Sequence, residues 1–337
     1  MLDFNAFKMG SPDPLAGRFE VIPGRSGTLL KRALVLRKLS FHRLANMPLI
    51  SSLRSLCILG ISLTGILAMP TGSASVEPRA VSQDTFNDLV FYFQYASSAY
   101  VDSCARPNGN TLVLQIDEAS TDTQAFIARD DTRREIVVAL RGSTSDQDFE
   151  TDAEIALAPF VSPGISPPGG SLAHTGFLTA WNSIANQVIS TVRSQLAAHP
   201  GYGLVSSGHS LGGALSGLAG ISLQQNFPGS TTRMFTYGQP RTFNPTAANF
   251  VNAQFGTRAF RGVHTTDGVP TIIPRILGYQ HHGVEYWNFQ DPASAATVKQ
   301  CAASGEDATC SDSIPSQGIN DAHLTYFNIA AGTAFCT

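Results

Sequence analysis

The stretch Tyr202–Gly213 reads Y-G-L-V-S-S-G-H-S-L-G-G, and its reading decides the fold. Within it, Gly208-His209-Ser210-Leu211-Gly212 is a G-x-S-x-G pattern. The spacing has a steric reason: where a strand turns abruptly into a helix, the middle residue is forced into a strained backbone conformation and its side chain projects outward. Small residues two before and two after let the helix approach the strand closely. The serine oxygen then sits at a helix N-terminus, whose amides favour developing negative charge. The pattern is short and arises by chance, and a glycine-rich structural turn is the alternative. The flanks argue against that turn. Leu204-Val205 is a short apolar run before the pattern, and Ala214–Ile221 is a helix-compatible run after it.

Outward from this point the chain alternates between strand-like and helix-like patterns. Phe86, Leu89, Val90 and Phe93 make a helical stripe that Ser82 or Asp84 can cap. Thr111–Ile116 and Gln124–Ala128 are candidate strands. Glu135–Leu140 is a stronger one, a β-branched run suited to burial on both faces. Phe177, Trp181, Ile184, Val188, Val192 and Leu196 form a second helical stripe, and the Pro- and Gly-rich Val161–Gly170 reads as loop. After the serine segment, Arg233–Tyr237, Arg258–Val263 and Val284–Trp287 read as strands and Ala247–Phe255 as a helix. Strands alternating with helical stripes predict an α/β fold with a mostly parallel central sheet and helices on both faces.

A serine hydroxyl is a poor nucleophile at neutral pH. It needs a base within hydrogen-bond reach, and the base needs a carboxylate to fix its tautomer. For this sheet architecture the expected chain order is serine, acid, histidine. Asp267 leaves a strand end in an Asp-Gly turn, and His323 follows a Cys- and Gly-rich loop, so Ser210, Asp267 and His323 meet that order. Asp291 and Asp321 are the competing acids. Among the other histidines, His209 is expected to point away from the serine's side, and His264 to serve in packing or a hydrogen bond. His281-His282 are expected to be solvated or bonded to backbone rather than metal ligands. The backbone amides of Leu211 and Ser143 are the expected oxyanion donors, the Ser143 hydroxyl adding a third. The bland reading of Arg141-Gly142-Ser143 is a strand-ending turn with Arg141 in an ion pair.

The first 80 residues differ in kind from the rest. They hold ten of the 22 Lys and Arg and four of the 25 acids, which leaves the remaining 257 with an excess of nine negative charges and one lysine, Lys299. A basic groove for nucleic acid is therefore not expected. Thr28–Leu44 is basic and amphipathic, with the look of a transit peptide or membrane-surface helix. Met47, however, opens a complete secretory signal: Arg54, then the apolar Leu56–Met69, too short to span a bilayer, then small residues over Thr71–Ser75. The expected organisation is a non-native or disordered extension at 1–46, a signal peptide and short pro-segment at 47–80, and one domain at 81–337. A type II membrane anchor is the alternative. In an exported chain, Cys104, Cys301, Cys310 and Cys336 are expected to form two disulfides. Three pairings are open; Cys301–Cys310 would close a small loop and Cys104–Cys336 would join the domain's ends.

Taken together, these residues resemble the fungal class 3 lipases, which include triacylglycerol lipases, acylglycerol lipases and feruloyl esterases. The resemblance runs from about Val81 to Thr337. It is carried by Val81-Ser82-Gln83-Asp84, Arg141-Gly142-Ser143, Gly208–Gly213, Asp267-Gly268-Val269-Pro270, Glu285-Tyr286-Trp287 and His323-x-x-Tyr326-Phe327. It implies the α/β-hydrolase fold, the Ser210/Asp267/His323 triad, the Ser143–Leu211 oxyanion hole and a lid at about 145–155 carrying Asp146, Phe149, Asp152 and Ile155. It also supports the Cys104–Cys336 and Cys301–Cys310 pairing. The lid departs from the lipase pattern. Acids at 146, 148, 150, 152 and 154 leave Phe149 as its only large apolar residue before Ile155, which looks more like the polar lid of the feruloyl esterases. Asp267–Pro270 together with His282–Trp287 points the same way, whereas Gly213 follows the lipase form and Ile155 falls about where feruloyl esterases carry a tyrosine that touches the phenol. The sequence is thus read as a secreted, monomeric serine ester hydrolase that needs no cofactor or metal and acts on acylglycerol or related lipid esters, with a transient contact at the lipid interface. Feruloyl-polysaccharide esters are the second reading, and a non-catalytic ester-binding relative is the third.

Overall fold

The computed structural model describes residues 80–143 and 155–337. The expected leader, apart from Ala80, lies outside the described residues, as do the lid residues Asp146, Phe149 and Asp152. Helix α1 (Gln83–Ser98) is capped by Ser82, whose side chain accepts from the Thr85 amide. Strands β1 (Thr111–Glu118), β2 (Thr123–Asp130) and β3 (Glu135–Leu140) follow. A two-stranded ribbon, β4 (Leu157–Pro159) and β5 (Leu172–His174), brackets the Pro/Gly-rich loop. Then come α2 (Thr175–Ala198), β6 (Gly203–His209), α3 (Leu211–Asn226), β7 (Thr232–Tyr237), α4 (Pro245–Phe255), β8 (Ala259–His264), β9 (Glu285–Asn288) and β10 (Val298–Gln300).

The main sheet has the order β1-β2-β3-β6-β7-β8-β9-β10. Its five central strands, β3, β6, β7, β8 and β9, are parallel; β1, β2 and β10 are added antiparallel at the edges. β3 shows why the centre holds. Ile136, Val138 and Leu140 face one core with Trp181, Ile184, Val188 and Leu218, while Val137 and Ala139 face the other with Leu89, Tyr92 and Phe93. The period-two alternation therefore buries both faces, each fully covered aliphatic contributing about 1.5–3 kcal/mol. α3 runs through the larger core and is buried from Gly212 to Leu223, which is why its sequence is apolar and small all round rather than striped.

Among the described residues two disulfides are present, Cys104–Cys336 and Cys301–Cys310. The first closes a loop of 232 residues. The second lies in the segment that leads to His323, and buried ion pairs tie that segment to the sheet. Arg261 on β8 meets Glu285 on β9, whose other oxygen accepts from the Ser311 amide, and Arg241 meets Glu306 and Asp312. Replacing both Cys104 and Cys336 by serine is expected to destabilise the fold by about 3–5 kcal/mol. The corresponding fall in Tm is on the order of 10 °C, read by calorimetry.

Candidate active site

β6 ends in the sharp turn its glycines anticipate. Ser210 has φ 61° and ψ −128°, held by its amide donating to the Tyr237 carbonyl on the neighbouring strand. A Cβ on Gly208 would lie 2.0 Å from the Gly212 carbonyl oxygen, and one on Gly212 would lie 2.2 Å from that of Leu140. Both glycines are thus demanded by contact with backbone. Leu211 is the first residue of α3, so its N–H has no partner within the helix. Leu140 on β3 pairs with Gly208 on β6, which brings Ser143 to the same end of the sheet as Ser210.

His323 Nε2 lies 2.9 Å from Ser210 Oγ, and His323 Nδ1 lies 3.0 Å from both oxygens of Asp267. An ionised carboxylate only accepts, so Nδ1 carries the hydrogen and Nε2 is left to accept from the serine hydroxyl. Burial alone would raise the pKa of Asp267. The His323 ring, the Tyr326 hydroxyl and the Val269 amide outweigh it and hold the carboxyl below the ordinary carboxylate range. Tyr326, whose hydroxyl burial keeps protonated, donates to Asp267 Oδ2. Beneath the pair lies Gly238, with φ 54°; a Cβ there would sit 2.8 Å from Asp267 Oδ2 and 2.9 Å from the His323 ring. This constellation can pass the Ser210 proton to His323 while Asp267 fixes the ring's tautomer.

The competing acids stand elsewhere: Asp321 is exposed, and Asp291 faces His264 Nε2 at 3.0 Å. His209 makes contacts beyond the expectation that it points away from the serine's side: its ring packs on the His323 ring at 4.5 Å between centroids, and its Nε2 lies 2.8 Å from the His323 carbonyl oxygen. Sequence spacing gave no sign of this, because the contact spans 114 positions. His281 and His282 are buried, not solvated. Nε2 of His281 donates to the Pro270 carbonyl and Nδ1 of His282 to that of Gly283, and burial lowers both pKa values, that of His282 to about 4. Arg141 makes no ion pair among the described residues, and its Nε is buried without a hydrogen-bond partner there. Ile155 is half-buried against the larger core, and its carbonyl accepts from Tyr279. Glu285, Cys301 and Cys310 bring three ligand-type atoms within 4.8 Å of one another, but the two sulfurs are joined in a disulfide and offer no thiolate.

A serine on a strained elbow, a histidine and a buried acid at one end of a mostly parallel sheet define a serine ester hydrolase of the α/β-hydrolase fold. The lipase (class 3) family profile matches residues 137–276. The Rhizomucor miehei lipase is 33% identical over 274 residues, covering 77% of this chain and 72% of the relative. A secreted alkaline triacylglycerol lipase of Penicillium cyclopium is 30% identical over 83% of this chain and 96% of its own length. One solved structure describes a triacylglycerol lipase whose catalytic centre is a serine-protease triad. It is 30% identical to this chain, covers 77% of it and 99% of that chain, and has a TM-score of 0.67. The chain belongs to the class 3 lipases, and its activity is carboxylic-ester hydrolysis of the lipase type.

Proposed function

We propose that the protein is a secreted acylglycerol hydrolase in which Ser210, His323 and Asp267 act as nucleophile, base and orienting acid. The observation that carries this reading is the unbroken relay from Ser210 Oγ through His323 to Asp267, at 2.9 and 3.0 Å. Ser210 attacks the ester carbonyl as His323 takes its proton. The amides of Leu211 and Ser143, with the Ser143 hydroxyl, hold the oxyanion, and loss of one such donor lowers kcat by about 10²–10³. His323 then protonates the departing alcohol, and water, deprotonated by the same ring, releases the acid. No metal or cofactor enters these steps, and the protein works as a monomer.

The choice of a lipid ester is supported by exposed apolar side chains on the segments that leave the triad: Ile276 (91% exposed) and Leu277 after Asp267, and Leu324 directly after His323. The acidic lid sequence favours a second reading, a feruloyl esterase. One preparation assayed on tributyrin, a long-chain triglyceride and methyl ferulate tests both. Turnover of the glycerides well above that of methyl ferulate is expected, and the reverse order would transfer the assignment to hydroxycinnamate esters. With Phe149 the only large apolar residue of the lid sequence before Ile155, the tributyrin rate is expected to rise little as substrate passes its solubility limit.

No helix of the described residues is long and apolar enough to cross a membrane. Translation from Met47, with residues 47–80 removed on export, is the expected route to the medium. N-terminal peptides of the secreted protein are expected to begin near residue 81, and any peptide from 1–46 would overturn this start site.

A further inference from the structure

Two imidazoles outside the proposed triad meet the chain on either side of His323. His264 Nδ1 lies 2.8 Å from the carbonyl oxygen of Ala322, and His209 Nε2 lies 2.8 Å from that of His323 itself. A carbonyl oxygen can only accept, so both nitrogens carry hydrogen. The Ala322 carbonyl belongs to the peptide plane before the His323 Cα and the His323 carbonyl to the plane after it. The angles between those planes and Cα are φ and ψ of His323, and together they set the direction of its Cα–Cβ bond. Each plane is therefore pinned by one imidazole N–H.

We propose that His209 and His264 are positioning residues that fix the backbone of His323 and thereby aim its ring at Ser210. This rests on the triad reading above. The fold presents the two rings from strands on either side of β7: His209 ends β6 and His264 ends β8, while Gly238, just past β7, leaves room for the His323 ring between them. Each positioning ring is itself held from behind. Tyr100 Oη lies 2.8 Å from His209 Nδ1 and donates to it, which fixes the Nε2–H tautomer. Asp291 accepts from Nε2 of His264 at 3.0 and 3.1 Å, so both nitrogens of that ring donate, and Asp291 Oδ1 also accepts from the Asn288 side chain. The His323 amide donates to Asn320, whose side chain donates in turn to the Thr266 carbonyl, so the loop is tied at its entry as well. Burial lowers the pKa of His209 to about 3, so its ring is neutral near neutral pH, with the tautomer set by its hydrogen bonds to Tyr100 and the His323 carbonyl.

The test compares variants that keep or remove each donor. His209→Gln keeps an N–H at about the reach of Nε2 and His264→Asn one at about the reach of Nδ1; His209→Leu and His264→Leu keep bulk and lose the donor. Each leucine variant is expected to lower kcat on a soluble p-nitrophenyl ester by about 10–100-fold with KM little changed, because a misaimed base weakens the chemical step and not ester binding. The amide variants are expected to recover most of that loss. Tyr100→Phe removes one hydroxyl, frees the His209 tautomer and is expected to lower kcat several-fold, which keeps the test decisive if a leucine variant fails to fold. Wild-type kcat in folded His209→Leu, His264→Leu or Tyr100→Phe would overturn the proposal, as would equal losses in the amide and leucine variants. Ser210→Ala in the same series separates the two readings. If it retains activity, the triad assignment fails; if it is inactive while the folded positioning variants match wild type, only the positioning role fails.

Discussion

Replacing Ser210 by alanine is expected to lower kcat on a p-nitrophenyl ester by about 10⁶ while leaving thermal unfolding nearly unchanged. The size follows from what is removed. Without the hydroxyl there is no atom at the elbow to form the acyl-enzyme, and His323 Nε2 has no proton to take. What remains is substrate binding and whatever the oxyanion amides contribute to direct attack by water. The small effect on stability follows from the backbone. The strain at φ 61° is imposed by the close approach of Gly208 to Gly212 and by the Ser210–Tyr237 hydrogen bond, and alanine carries the same Cβ as serine. A protein that kept activity within tenfold of wild type would have another nucleophile. A wild type equally inactive on every ester, with the relay intact, would instead be a non-catalytic ester binder.

What could be read from the sequence follows the range over which its signals act. The strand Glu135–Leu140 and the elbow were legible because both obey local rules: apolar residues buried on two faces, and glycines where backbone meets backbone. The same holds for the helix over 175–198, whose stripe of Phe177, Trp181, Ile184, Val188 and Val192 is buried as the spacing predicts. The β4–β5 ribbon escaped because three-residue strands are too short to show alternation, and β10 escaped for the same reason. In the site, Ser210, Asp267 and His323 could be ordered from their motifs. The parts played by His209, His264 and Tyr326 could not. Tyr326 was visible only as part of a motif, and its bond to Asp267 spans 59 positions. The buried pair Arg261–Glu285 is of the same kind, since neither residue differs locally from one exposed to solvent. Contacts of that sort are fixed by which strand ends share an edge of the sheet, and periodicity carries no record of that order.

The second large effect is expected at Asp267, where asparagine should lower kcat by about 10⁴ with little change in KM. Asp267 Oδ1 accepts from the Val269 amide at 2.9 Å and Oδ2 accepts from Tyr326, while His323 Nδ1 lies 3.0 Å from each. Asparagine has one acceptor oxygen and one donor nitrogen for these two places. The Val269 N–H cannot turn to accept, so the oxygen must stay at Oδ1 and the NH₂ falls at Oδ2, facing Tyr326 and His323 Nδ1. An N–H aimed at Nδ1 favours the tautomer with the ring hydrogen on Nε2, and that nitrogen can no longer take the Ser210 proton. The same substitution carries a pH signature. Because the folded protein holds Asp267 below its ordinary value of 3.8, the carboxylate contributes stability that is present above that value and is lost as pH falls through the lower, folded one. Urea unfolding of wild type and Asp267→Asn between pH 7 and pH 2.5 is therefore expected to show a wild-type advantage at neutral pH that shrinks toward the acid end. An advantage that instead grew as pH fell would mean that the buried carboxyl is held protonated, and the orienting role given to Asp267 would not survive.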